Sequence, residues 1–363
     1  MGLRRTKSLH LGERPAGEGD IDTKRTLIGL LVRTPTSLFP IALGLAGLGA
    51  GLRLAAERFD VAALPTVGAG VLAAAGVVLA LDLVLYLGKL ARVRGAAMED
   101  FGNPTSANLV APAFMAAMVL GAQLSAVSEL GRWLWIAAAS GHAFLLLRFV
   151  GRWLTHDYDP ADLNPTWFLP SAGIMTGSMT ARAFWPEPLT WILFAAGFGL
   201  WLTLLPLVVR RLVVEPAIAP RLRPTLFIIA APAGLAANSI LNLAPEAPWQ
   251  IAAMLGYFGA FMIAALLLQP RFILGAGVSL SWWATTFPTA TVAAALLNLS
   301  DRTGSAIDAA LGAVVLTLAA GFTLIALAAA LRLGWETGRM EAEIAAMCGG
   351  DAACEEELRR GEA

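Results

Sequence analysis

A chain of 363 residues that is 57% hydrophobic and only 14% charged, with a mean hydropathy of +0.68, is not a water-soluble domain; soluble domains carry about 25% charged residues. The net charge is zero, so no bulk basic surface invites a nucleic-acid partner. The two cysteines, Cys348 and Cys354, stand in a polar tail without metal-ligand spacing, so neither a disulfide scaffold, a metal site nor a cofactor is expected.

The chain opens on a basic, polar stretch, residues 1–33, with no short apolar core ahead of a cleavage site; it reads as a cytoplasmic segment rather than a secretory signal. A membrane span needs about 20 apolar residues. Ten stretches meet this, near 35–56, 62–88, 104–125, 130–152, 165–184, 187–209, 224–244, 247–268, 277–297 and 305–332. The links after the odd spans are short and those after the even spans longer and basic, which predicts five tight helical hairpins. With the N-terminus inside, 21 of the 26 Lys/Arg fall on the inner side, so both termini are expected in the cytoplasm. The charged stretch 334–363 reads as a cytoplasmic tail, and 34–333 as one all-α integral membrane domain.

The odd spans share a plan. They read PTSLFPIALG, NPTSANLVAPAFMA, NPTWFLPSAGIMTG, RPTLFIIAAPAGLAANS and SLSWWATTFPTATVA. Each carries a proline inside an apolar, small-residue run: Pro40, Pro112, Pro170, Pro232 and Pro288, about one hairpin apart. An interior proline removes a backbone donor and kinks a helix. The even spans are Leu/Val/Ala/Phe-rich and lack a mid-span proline, apart from Pro206 near an end. The odd spans are therefore expected to wall a pore, and the even spans to face lipid.

The odd spans hold no ionisable residue in their interiors. Asp82 and His142, the intramembrane candidates for a proton carrier, sit on even spans and read as structural polar groups. An uncharged pore selects by dipoles. Five helix N-termini at the inner mouth, Arg53 and Arg182 at the outer mouth, and hydroxyl and amide donors from Ser171, Thr176, Thr285, Thr286, Thr289 and Asn238 favour anions. Carbonyls freed by the kinks oppose this. Phe287, directly before Pro288, lies about ten residues into its span, roughly 15 Å deep, where one ring can stopper a narrow conduit.

The ten-span plan, with NPTWFLPSAGIMTG, RPTLFIIAAPAGLAANS and SWWATTFPTATVAAA, resembles the tellurite-resistance/dicarboxylate transporter (TehA) family, which is related to the plant slow-type anion channels; the similarity covers about residues 30–333. The resemblance implies five hairpins in quasi-fivefold order around a central pore, a trimeric assembly, and an occluding phenylalanine aligned with Phe287. The expected function is a channel for small inorganic anions in a bacterial inner membrane. The alternative is a proton-coupled or facilitated exporter of C4-dicarboxylates or tellurite. A membrane-embedded enzyme finds no support, because no clustered His/Cys/Asp/Glu set or nucleophile motif is present.

Overall fold

The computed structural model describes residues 28–181 and 186–348, with side chains through 337. Among these residues all regular structure is helical. Eight helices are long and apolar enough to cross a membrane.

The chain runs as successive helix pairs. Helix α1 (Phe39–Phe59) packs on α2 (Leu64–Arg92). Two short helices, α3 (Arg94–Gly102) and α4 (Pro104–Asn108), lead into α5 (Ala111–Leu124), which packs on α6 (Glu129–Thr155). Helix α7 (Leu169–Thr180) packs on α8 (Glu187–Val214), and α9 (Ala231–Leu243) on α10 (Trp249–Leu267). After α11 (Pro270–Leu274), α12 (Thr286–Thr303) packs on the long α13 (Ala306–Cys348). Two of these ten, α7 and α12, are not among the eight. Helix α7 has 12 residues, and α12 holds four Thr and an Asn and ends Asp301-Arg302-Thr303.

The first helices of the pairs form a closed cycle of neighbours. Helix α1 touches α5, α5 touches α7, α7 touches α9, α9 touches α12, and α12 returns to α1. The segregation expected from composition follows. Of the apolar stretch, 78% is buried in the span that ends in α9, but only 28% in α2, α8 and α10. Exposed Val84, Phe144, Leu147, Met254 and Leu324 lie on the second helices.

The interior prolines do something other than bend one continuous helix. Each stands in the first turn of its α-helix: second in α1, α5, α7 and α9, and third in α12. There its missing N–H would be unpaired anyway. Ahead of four of the five lies a tighter 3-10 segment: Thr36–Leu38, Pro165–Phe168, Pro220–Ala230 and Leu280–Thr285. Ahead of Pro112 stands the short helix α4. Each odd span is thus two helical pieces joined at the proline. Two of the Pro-Thr starts, Pro104-Thr105 and Pro165-Thr166, are capped by the asparagine before them. Asn103 Oδ1 accepts the amide of Ser106, and Asn164 Oδ1 accepts both the amide and the hydroxyl of Thr166. Asn164 Nδ2 also reaches Thr105 Oγ1 at 2.9 Å and so joins two of these starts.

The face where the first helices begin is called basal here, and the face where they end apical. At the basal face Lys89, buried near the end of α2, donates to the Thr34 carbonyl at 2.9 Å and to Asp100 at 2.8 Å. It fixes the approach to α1 against α3. At the apical face Gly304 closes α12 with φ of 71°, a conformation that suits glycine. The link after α6, residues 156–164, carries a single 3-10 turn, Pro160–Asp162, and His156 there is exposed, as its composition suggested.

Candidate functional site: two cavities on either side of Phe287

Phe287 sits on α12 in the turn that also holds Pro288, and only 3% of it is exposed. Its ring lies against Gly47 of α1. A β-carbon at Gly47 would stand 2.8 Å from Phe287 Cδ2, so only glycine leaves the ring its place. One turn earlier the same close approach recurs, where a β-carbon at Gly44 would overlap the Thr286 hydroxyl.

Two cavities meet at this ring. The apical one has a volume of about 200 Å³. All five first helices contribute to it through their C-terminal halves: Gly51 and Leu54 from α1, Gln123 from α5, Thr180 from α7, Asn242 from α9 and Asn298 from α12. The basal cavity is about 20 Å³ and apolar. The same five spans line it through their N-terminal parts, including Pro40, Pro112, Leu169, Ala231 and Pro288. Phe287 borders both. The first helices are therefore parallel, with their starts around the small cavity and their ends around the large one. A water needs about 10–15 Å³ of such space and polar partners, so the polar apical chamber has room for several waters while the apolar basal one does not favour even one.

The chamber's polar groups form a network of amides. Asn238 donates to the carbonyls of Gly234 (2.8 Å) and Thr291 (3.0 Å) and accepts from Asn298 Nδ2 (2.8 Å). Both of its N–H bonds are thereby used. Asn242 Nδ2 donates to the Met179 carbonyl at 3.0 Å. Thr180 Oγ1 donates to the Thr176 carbonyl and accepts from Trp135 Nε1, both at 2.7 Å. Gln123 accepts from Arg53 Nη1 at 2.9 Å, which sets a cation directly behind the wall. No carboxylate lines either cavity among the described residues.

Of the six polar residues expected along the wall, Asn238 borders the chamber. The other five are buried and turn their hydroxyls onto backbone carbonyls of their own spans: Ser171 to Phe168, Thr176 to Ala172, Thr285 to Trp282, Thr286 to Trp283 and Thr289 to Thr285. Gln123, Thr180, Asn242, Thr291 and Asn298 reach the chamber without having been singled out. A helical signal pointed to several of them. Phe287, Thr291, Ala294 and Asn298 recur at four, three and four residues, and Asn242 follows Asn238 by one turn.

His142, fully buried on α6, donates from Nε2 to the Pro170 carbonyl at 2.9 Å, since a carbonyl only accepts. Its Nδ1 has no partner among the described residues. Asp82 is buried on α2, and one of its oxygens likewise lacks a partner there. Asn108 is buried outside both cavities, beside Phe149 and Arg152. Arg182, expected at the outer mouth, lies outside the described residues.

An all-helical membrane protein whose paired helices enclose two hollows, with no charged side chain lining them and no metal-binding cluster among the described residues, has the form of a transport protein. The sequence model of the SLAC1 family, described as a voltage-dependent anion channel, matches residues 33–331, and the chain belongs to that family. It is 26% identical over 251 residues to the S-type anion channel SLAH2 of Arabidopsis thaliana, covering 67% of this chain and 47% of that protein. It is 24% identical over 268 residues to the tellurite resistance protein TehA homolog of Haemophilus influenzae, covering 71% and 79%. A third relative, the S-type anion channel SLAH3 of Arabidopsis thaliana, is 24% identical over 219 residues, 59% of this chain and 34% of that protein. The chain thus spans about half or less of the plant channels it matches.

Proposed function

We propose that this protein is a channel for small anions, with its permeation path on the axis of the five first helices and Phe287 as the stopper. The carrying observation is that all five spans border both cavities and that Phe287 is common to the two. In this reading α7 and α12, with the 3-10 segments before them, complete ten spans in a quasi-fivefold barrel, and residues 34–333 form the channel domain. The five prolines mark where each wall segment changes from its short basal piece to its α-helical apical piece. Pro40, Pro112 and Pro288 border the basal cavity themselves, next to the closed ring.

The sign of the permeating ion follows from the wall. Five helix starts surround the basal cavity, each carrying a fraction of a positive charge. The chamber offers amide groups, a cation sits behind Gln123, and no lining carboxylate opposes an anion. The bias of Lys/Arg supports a basal face, both termini and the segments 1–33 and 334–363 on the cytoplasmic side of a bacterial membrane. The family resemblance supports a homotrimer, each copy with its own conduit.

Replacing the ring tests this. Phe287→Ala should raise anion current in planar bilayers at least tenfold over the unmodified protein, with anions favoured over cations in the reversal potential. A variant that is folded, inserted and no more conductive than its parent would remove Phe287 from the gate.

A further inference from the structure

The chamber is not the largest hollow in the molecule. A surface groove of about 660 Å³ runs between α2 and the apical ends of α5 and α6. On α2 it follows Ala69, Ala73, Gly76 and Ala80, at steps of four, three and four, so small residues line one stripe of that helix. Leu120 and Leu134 rise on the opposite side. The stretch of α2 that borders it, Pro65 to Leu83, is about 27 Å long at 1.5 Å per residue. A β-carbon at Gly76 would meet nothing within 4 Å, so no described side chain fills the groove there. Helix α2 is among the least buried spans, so in a bilayer a groove along its side would open toward the acyl chains.

A cation stands at the apical end of this apolar slot. The stem of Arg53 crosses α2 at Gly68, where a β-carbon would come within 2.9 Å of Arg53 Cγ. Its guanidinium borders the groove and gives one N–H to Gln123. No carboxylate pairs with Arg53 among the described residues. A guanidinium has five donors in a fork that matches phosphate oxygens, and a cation facing a membrane calls for an anion.

We propose that the groove binds one glycerophospholipid, with its phosphate on Arg53 and an acyl chain along the small-residue stripe of α2. The apolar length, the sideways opening and the single cation at the headgroup end together describe that ligand. A soluble anion would leave the stripe empty. The site also touches the chamber, because Gln123 borders both hollows. A phosphate that takes over Arg53 frees the Gln123 carbonyl to turn, and so changes the chamber wall. That effect on flux rests on the channel reading; the binding itself does not.

The test is native mass spectrometry of the full-length protein, titrated with phosphatidylglycerol and with diacylglycerol of the same chains. The unmodified protein should hold phosphatidylglycerol about tenfold more tightly or better, as a charged hydrogen bond is worth about 1.5–3 kcal/mol. Arg53→Gln should bring the two lipids within about twofold of each other, Arg53→Lys should retain part of the preference, and Ala73→Phe should lose both lipids. A thermal melt of each variant in detergent identifies any that fails to fold, and phosphatidylglycerol should raise the melting temperature of the parent but not of Arg53→Gln. Equal retention by the parent, Arg53→Gln and Ala73→Phe overturns the proposal. Full displacement by inorganic phosphate does so too, since the acyl chain would then contribute nothing. If Ala73→Phe splits an oligomer and leaves phosphatidylglycerol retention unchanged, the groove is a contact between copies and the lipid site is refuted.

Discussion

Thr285, Thr286 and Thr289 illustrate what a hydroxyl does inside an apolar wall. Each donates three or four residues back along its own chain, at 2.6 to 2.8 Å. An intact buried hydrogen bond contributes about 0.5–1.5 kcal/mol, and an orphaned donor costs about 1–3. The nearest carbonyl in the preceding turn therefore takes each hydroxyl. Their burial was legible in the sequence, because small hydroxyls recur through an uncharged apolar run. Their direction was not, because every helix offers both a carbonyl and an outward face. The longer amides of Gln123, Asn242 and Asn298 reach the chamber where hydroxyls are taken up by the backbone. At this scale Gly47 bears on the ring most directly. Gly47→Ala should push the Phe287 ring from its seat and raise resting anion current, but by less than Phe287→Ala does. Single-channel recordings that match the parent would show that the ring adjusts in place.

Helix α7 shows what an element contributes. The sequence placed a proline in the middle of span 165–184; the structure places Pro170 in the first turn of a short α-helix, after the 3-10 turn Pro165–Phe168. The break was readable from the proline. The tight form of the segment before it was not, because three- and four-residue hydrogen bonding differ by little in local preference and are decided by packing. The His142 ring secures this junction from α6. A β-carbon at Gly173 would stand 2.3 Å from His142 Nε2, so the histidine reaches the Pro170 carbonyl only over a glycine. Gly173→Ala should destabilise the protein by about 1–3 kcal/mol, the usual penalty of overpacking. Thermal melts in detergent should show a lower midpoint. The double variant Gly173→Ala/His142→Ala should be more stable than Gly173→Ala alone; further loss in the double would deny that the two side chains share one space.

Across the whole molecule, the division into buried and exposed helices was legible from prolines and small residues alone. The order of contacts around the ring was not, because no local pattern tells α12 to return to α1. That closure depends on helix-to-helix fit, such as Gly44 and Gly47 against Thr286 and Phe287. Asp82 and His142 also gain meaning only here. Both sit on the outer helices, and neither borders the chamber. A proton-coupled carrier would need such a group on the path. Liposomes containing the Phe287→Ala protein should therefore equilibrate anions down their own gradient, with no uphill accumulation when a proton gradient is imposed. Uphill uptake that Asp82→Asn abolishes would favour the exporter instead.

The contact between α1 and α12 joins the first long helix of the described chain to the last pair. During synthesis, the four earlier pairs have no partner across that seam and enclose nothing. The helix that completes the cycle of contacts, α12, is also the one that carries Phe287. On the channel reading, conduit and stopper arrive in one insertion event, and a nascent chain does not leak ions while it is being made.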